Sequence, residues 1–119
     1  MQLFRLSGRK ICERVKTKGF LWKGKHMHMR IMRGLPRGST LPNHSILVGV
    51  VTSAKLDASA VKRNRMRRRC REALRKTLLD HPSVPVSVQL ILLPRSSSLT
   101  APFDELLSDA RRFLFSLSS

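Results

Sequence analysis

The residues of this chain that could do chemistry are concentrated in one run, Val61-Lys62-Arg63-Asn64-Arg65-Met66-Arg67-Arg68-Arg69-Cys70-Arg71-Glu72-Ala73-Leu74-Arg75-Lys76. It holds nine of the 24 lysines and arginines in 119 residues. The chemistry open to it is phosphate binding. Arginine outnumbers lysine there, and a planar guanidinium can meet two phosphate oxygens where an ammonium offers a point charge. Reaction chemistry has no comparable signal: there is no Gly-x-Ser-x-Gly, no phosphate-loop glycine pattern, no His-Glu-x-x-His and no carboxylate pair. Seven acidic residues in all make a protein-held two-metal nuclease site hard to build. Asp104, Glu105 and Asp109 are accounted for by helix-dipole and solubility roles. His26-x-His28 begins a metal site but lacks a third ligand. Cys12 and Cys70 have no metal-type spacing and read as reduced thiols, Cys70 in the core. No catalytic residue, metal ligand or protein-held cofactor is therefore assigned, and any reacting groups are expected on a partner.

What positions the basic run is a helix. At about 100° per residue, Met66, Cys70, Ala73, Leu74, Thr77 and Leu78 share one side, the stripe by which a helix docks on a core. Lys62, Arg65, Arg68, Arg69, Arg71, Arg75 and Lys76 take the other faces, opposed inside the segment only by Glu72. Solvated faces ordinarily mix signs, so this excess of one sign points to a polyanion. Arg63 and Arg67 fall close to the stripe, so the first turns should run past the core and carry guanidiniums all round.

The rest of the chain supplies a scaffold. Leu6 to Lys18 reads as a short helix capped by Ser7 and stopped by Gly19. Phe20, Leu21 and Trp22 form an aromatic cluster before the turn Lys23-Gly24-Lys25; Trp22 or Phe20 there is more often a lid on a small core than a stacking platform. His26 to Arg33 alternates as a strand, with Met27, Met29 and Ile31 on one face and His26, His28 and Arg30 on the other. Gly34 to Ser45 is a loop, and Ile46 to Thr52 is an apolar run suited to the middle of a sheet. Ser53 to Ser59 leads into the basic helix, with Asp57 or Ser59 as its N-cap, and the helix should run to about Leu79. Val86 to Leu93 is a further strand, and Phe103 to Leu117 a final helix with Pro102 at its start. The fold class is α/β (α+β), a two-layer sandwich with one mixed sheet covered by helices, spanning 1–119 as one domain.

A formal charge of +17 points to a nucleic acid or an anionic surface. No run approaches the length that spans a bilayer and no signal-peptide core is present, so the expected location is cytoplasmic, with no membrane partner.

Ala60 to Leu74 resembles the signature of the bacterial ribonuclease P protein subunit, with Arg63-Asn64-Arg65 followed by basic pairs and Arg71-Glu72. Val48-Gly49-x-x-x-Ser53-x-Lys55 precedes it at about the family's distance, and the resemblance covers nearly the whole chain. It implies the order α-β-β-(β)-α-β-α with a left-handed βαβ crossover around the basic helix, against the usual hand. It implies an RNA subunit that, with Mg²⁺, hydrolyses precursor tRNA at the 5′ leader. The protein, for which no oligomer is required, binds that RNA and holds the leader. On this resemblance Lys62, Arg63, Asn64, Arg65, Arg67, Arg68 and Arg71 would meet the ribonuclease P RNA, and Ser53 and Lys55 would face the leader. Where the family's leader cleft is lined by aromatics, this chain has Cys12 and Lys16 on the first helix and Met27 and Met29 on the first strand, so charge and methionine contacts should replace stacking. The family's frequent double lysine is Ala54-Lys55, and tyrosine is absent.

Three other readings compete. A ribosomal or structural RNA-binding protein would share the charge but has no reason to contain the coupled Val48-Gly49, Ser53-x-Lys55, Arg63-Asn64-Arg65 and Arg71-Glu72 pattern. A DNA-binding helix lacks a second helix at helix-turn-helix distance, and a membrane-surface peptide would need a larger apolar stripe.

Overall fold

The computed structural model describes residues 2–6, 8–36, 38–41, 45–80 and 87–117. Its elements in chain order are β1 (Gln2–Arg5), α1 (Arg9–Lys18), β2 (Phe20–Lys23), β3 (Met27–Arg33), β4 (Ser45–Val50), α2 (Ala60–Asp80), β5 (Val88–Pro94), a 3₁₀ turn (Ser96–Leu99) and α3 (Phe103–Leu117). The strands form one sheet in the order β1-β4-β5-β3-β2. β1 and β5 run parallel to β4, while β3 is antiparallel to β5 and to β2, so the sheet is mixed. α2 is the connection between the parallel neighbours β4 and β5.

Of the two sheet edges, β2 is the additional short strand that the resemblance implied, and β1, ahead of α1, was not expected. β1 and β2 have four residues each, too few to establish a period, and they are held by ladders to β4 and β3. The middle position belongs to β5, with β4 beside it. The cap expected from Ser7 lies outside the described residues; the α1 N-cap is Gly8, at φ 98°, a backbone conformation that glycine adopts without steric cost. Gly19, the C-cap of α1 in an extended conformation, must be glycine for a different reason: a Cβ there would sit 2.5 Å from the Val15 carbonyl oxygen and 2.9 Å from that of Ile31.

Alternation decides which face each strand residue takes. Met27, Met29 and Ile31 of β3, Ile46 and Val48 of β4, and Val88, Leu90 and Leu92 of β5 pack beneath α2 and α3. There they meet Cys70, Leu74, Leu106 and Phe113; burying side chains of this size contributes about 1.5–3 kcal/mol each. On the opposite face Leu47 and Ile91 pack with Leu6 and with Val15 of α1. Trp22 lids the main core, its ring 5.5 Å edge-on from Phe113, whereas Phe20 is 56% exposed and lids nothing. Two acids of α3 do more than serve the dipole. Buried Asp109 accepts the Lys25 and His26 amides at 3.0 and 2.7 Å, and Glu105 lies 2.8 Å from His26 Nε2. Together they pin the β2–β3 turn to α3.

Candidate nucleic-acid interface

α2 starts where the sequence indicates. The Ser59 hydroxyl accepts the Lys62 N–H at 3.3 Å as N-cap, and the Asp57 carboxylate accepts the Ser59 N–H at 2.8 Å. Its stripe is also as read: Met66, Cys70, Ala73, Leu74, Thr77 and Leu78 are buried. Burial pushes the Cys70 thiol up to about 11.

Apart from Arg75, paired with Glu72, and Lys76, over the Phe103 ring, the basic side chains of α2 fall into three groups. The first surrounds a cleft of about 430 Å³ between α1, the end of β4 and α2, lined by Arg5, Leu6, Cys12, Val48–Val51, Asn64, Arg67, Arg68, Arg71 and Ile91. The second, exposed Lys62 and Arg65 with half-buried Arg69, borders a groove toward the 3₁₀ turn and Thr100. Arg69 is committed to the fold, donating to the Ser98 carbonyl at 2.6 Å and to that of Ala101. The third group turns back on segment 52–58. Arg63 Nη1 donates to the Asp57 and Ala58 carbonyls at 2.8 and 3.2 Å, and Arg67 Nη1 donates to the Thr52 hydroxyl at 2.6 Å while its side chain still borders the cleft. The expectation that the first turns offer guanidiniums all round is thus corrected: Arg63 is half-buried against backbone oxygens, because the stripe side of the first turn meets this segment rather than open solvent.

Ser53 and Lys55 stand exposed on the turn closed by the Leu56 N–H on the Ser53 carbonyl at 3.0 Å. Lys16 is exposed one helical turn beyond Cys12, which lines the cleft. Met27 and Met29 are different. Both are 0% exposed in the core under α2 and α3, so they offer no surface to a ligand, and the expected methionine contacts are corrected. The register gives the other face of β3 to His28, Arg30 and Met32, none of them fully buried. Burial, then Arg95 and Lys23, holds the His28 pKa below its ordinary value. Arg5 was missed; Phe4-x-Leu6 facing inward around an outward Arg5 is a period-2 signal, but only three residues long.

The cleft is electrostatically one-sided. The ion pairs among the described residues join Lys25 and His26 to Glu105, Arg75 to Glu72 and Arg112 to Asp109; none involves Arg5, Arg67, Arg68 or Arg71. The Arg75 hydrogen bond lowers the Glu72 pKa, tying up the acid nearest the cleft arginines in sequence. Four guanidiniums converging without a carboxylate repel one another and favour a bound polyanion. Among the described residues no three His, Cys, Asp or Glu gather to hold a metal ion, and no helix is long and apolar enough to cross a membrane.

Fold and site together define a small α+β protein with a cationic cleft on its basic helix. The family model described as Ribonuclease P matches residues 2–118, and the chain belongs to that family as a protein component of a ribonucleoprotein endoribonuclease. It is 26% identical over 95 residues to the ribonuclease P protein component of Rickettsia canadensis, covering 80% of each chain. To that of Bartonella quintana it is 38% identical over 61 residues, 51% of this chain and 44% of the relative. In fold it is similar to the ribonuclease P protein of Thermotoga maritima, with a TM-score of 0.72, 17% identity and 97% and 98% of the two chains covered. The Staphylococcus aureus protein gives a TM-score of 0.69 at 15% identity, covering 98% of each chain. Membership in this family sets aside the generic ribosomal or structural RNA-binding alternative.

Proposed function

We propose that the cleft side of α2 binds the ribonuclease P RNA and that the turn at 53–56, with Lys16, holds the 5′ leader of precursor tRNA. The observation that carries this reading is the convergence of Arg5, Arg67, Arg68 and Arg71 on one cleft without a carboxylate, beside Asn64. Lys62 and Arg65 extend the same cationic surface around α2. Phosphates bound there release counterions and screen the repulsion between two RNAs, which lowers the Mg²⁺ they need to associate. The hydrolytic step belongs, on this reading, to the RNA subunit and its Mg²⁺; this chain's residues bind and orient. On this reading the protein acts in the cytoplasm and needs no protein oligomer. A photocrosslinker attached at Lys55→Cys in a Cys12→Ser background tests the arrangement in the assembled holoenzyme with end-labelled precursor. Crosslinks to leader nucleotides are expected, and crosslinks confined to the RNA subunit would refute the placement of the leader.

A further inference from the structure

Segment 52–58 is tied to α2 at both ends. Arg67 holds its beginning through Thr52, and Arg63 holds its end through the Asp57 and Ala58 carbonyls. The Asp57 carboxylate on the Ser59 amide and the Ser59 cap lock the same end to the helix start. Between these fixings Ser53, Ala54 and Lys55 project into solvent. A free loop of this length would place the Lys55 ammonium anywhere within several ångströms; a loop held at both ends places it relative to the cleft arginines. The half-buried Arg63 guanidinium, facing backbone oxygens, is poorly placed to reach a phosphate at the same time.

We propose that Arg63 is a positioning residue, clamping segment 52–58 so that Lys55 is presented at a set place beside the RNA-binding face of α2. This rests on the reading above that the turn faces the leader. It assigns the first arginine of the Arg-Asn-Arg motif a different task from its neighbours: Asn64 borders the cleft and Arg65 is exposed, whereas Arg63 acts through Lys55.

The test uses the assembled holoenzyme with Arg63→Gln, Arg63→Lys, Lys55→Gln and Arg68→Gln. Two quantities are read: the salt dependence of affinity for the RNA subunit, and KM for precursors with a leader of several nucleotides or of one. Arg63→Gln should raise KM for the long leader about two- to fivefold, as Lys55→Gln does, the worth of one exposed charge contact. The short leader should be unaffected and the salt slope unchanged, while Arg68→Gln flattens that slope by about 0.7. Arg63→Lys separates the roles further. A lysine keeps the charge but is one bond too short for both carbonyls, so a clamp is weakened where a phosphate contact would survive. A flattened slope in Arg63→Gln with normal behaviour in Arg63→Lys overturns the proposal in favour of direct phosphate contact. No change in either variant overturns it too, as does an equal loss on both leaders. If Lys55→Gln shows no leader effect while Arg68→Gln still flattens the slope, the leader reading itself has failed and the clamp falls with it.

Discussion

Arg68 and Arg69 are adjacent in sequence and should behave as opposites. Arg69 makes two charge-assisted hydrogen bonds, to the carbonyls of Ser98 and Ala101, residues that are 0% and 8% exposed. Such bonds contribute about 1.5–3 kcal/mol each, but a half-buried pair sharing one guanidinium recovers some water when lost, so Arg69→Gln should cost about 2–4 kcal/mol in total. With an unfolding entropy near 2.1 cal/mol/K per residue, a chain of this length loses about 4 °C per kcal/mol, hence roughly 8–16 °C in Tm. Arg68 is exposed and has no protein acceptor among the described residues. Arg68→Gln should therefore move Tm by about 2 °C or less, the range of ordinary surface substitutions. Its effect belongs to RNA binding. Six contacts, from Arg5, Lys62, Arg65, Arg67, Arg68 and Arg71, give a log–log salt slope of about −4, and losing one leaves about −3.5. Circular-dichroism melts and filter binding across a salt series measure both. An Arg69→Gln protein with unchanged Tm and a flattened slope would refute the assignment of faces on α2.

Three further outcomes follow from burial and charge. Met29→Ala should destabilise by about 2–5 kcal/mol in denaturant titration and leave the dependence of KM on leader length untouched, because the side chain lies wholly in the core. With the Cys70 thiol pushed up to about 11 by burial, a brief exposure of native protein to iodoacetamide near pH 8 should add one adduct, at Cys12, and bound RNA should suppress it; peptide mass mapping decides. The His26 hydrogen bond, with that of Lys25, lowers the Glu105 pKa, so its stabilising effect is present above the ordinary carboxylate value of about 4.3 and lost as pH falls through the lowered one. Glu105→Gln should therefore lower Tm at neutral pH and reduce its fall on acidification.

The sequence made legible what periodicity and caps carry. The stripe of α2, its Ser59 start and the inward face of β3 are read directly because each repeats over several residues. β1 and β2 escape such reading because four-residue edge strands are defined by their partners, and Arg5 reaches the cleft only through the β1–β4 ladder. The methionines show how resemblance and pattern diverge. The alternation of β3 already put Met27 and Met29 on the buried face, while correspondence with the family's aromatics put them in a leader cleft; the core settles the matter for alternation. Arg63 and Arg67 look, on a helical wheel, like charges at the edge of a core, and only tertiary contact with segment 52–58 reveals what occupies that edge.

The most direct test of the central claim is cleavage of precursor tRNA by a bacterial ribonuclease P RNA at limiting Mg²⁺, with this protein and with its Arg68→Gln/Arg71→Gln variant. Strong stimulation by the wild-type chain is expected, with its loss in a variant that remains folded and recovery as Mg²⁺ is raised. Equal stimulation by both proteins would contradict the claim that the α2 cleft is where the RNA is held.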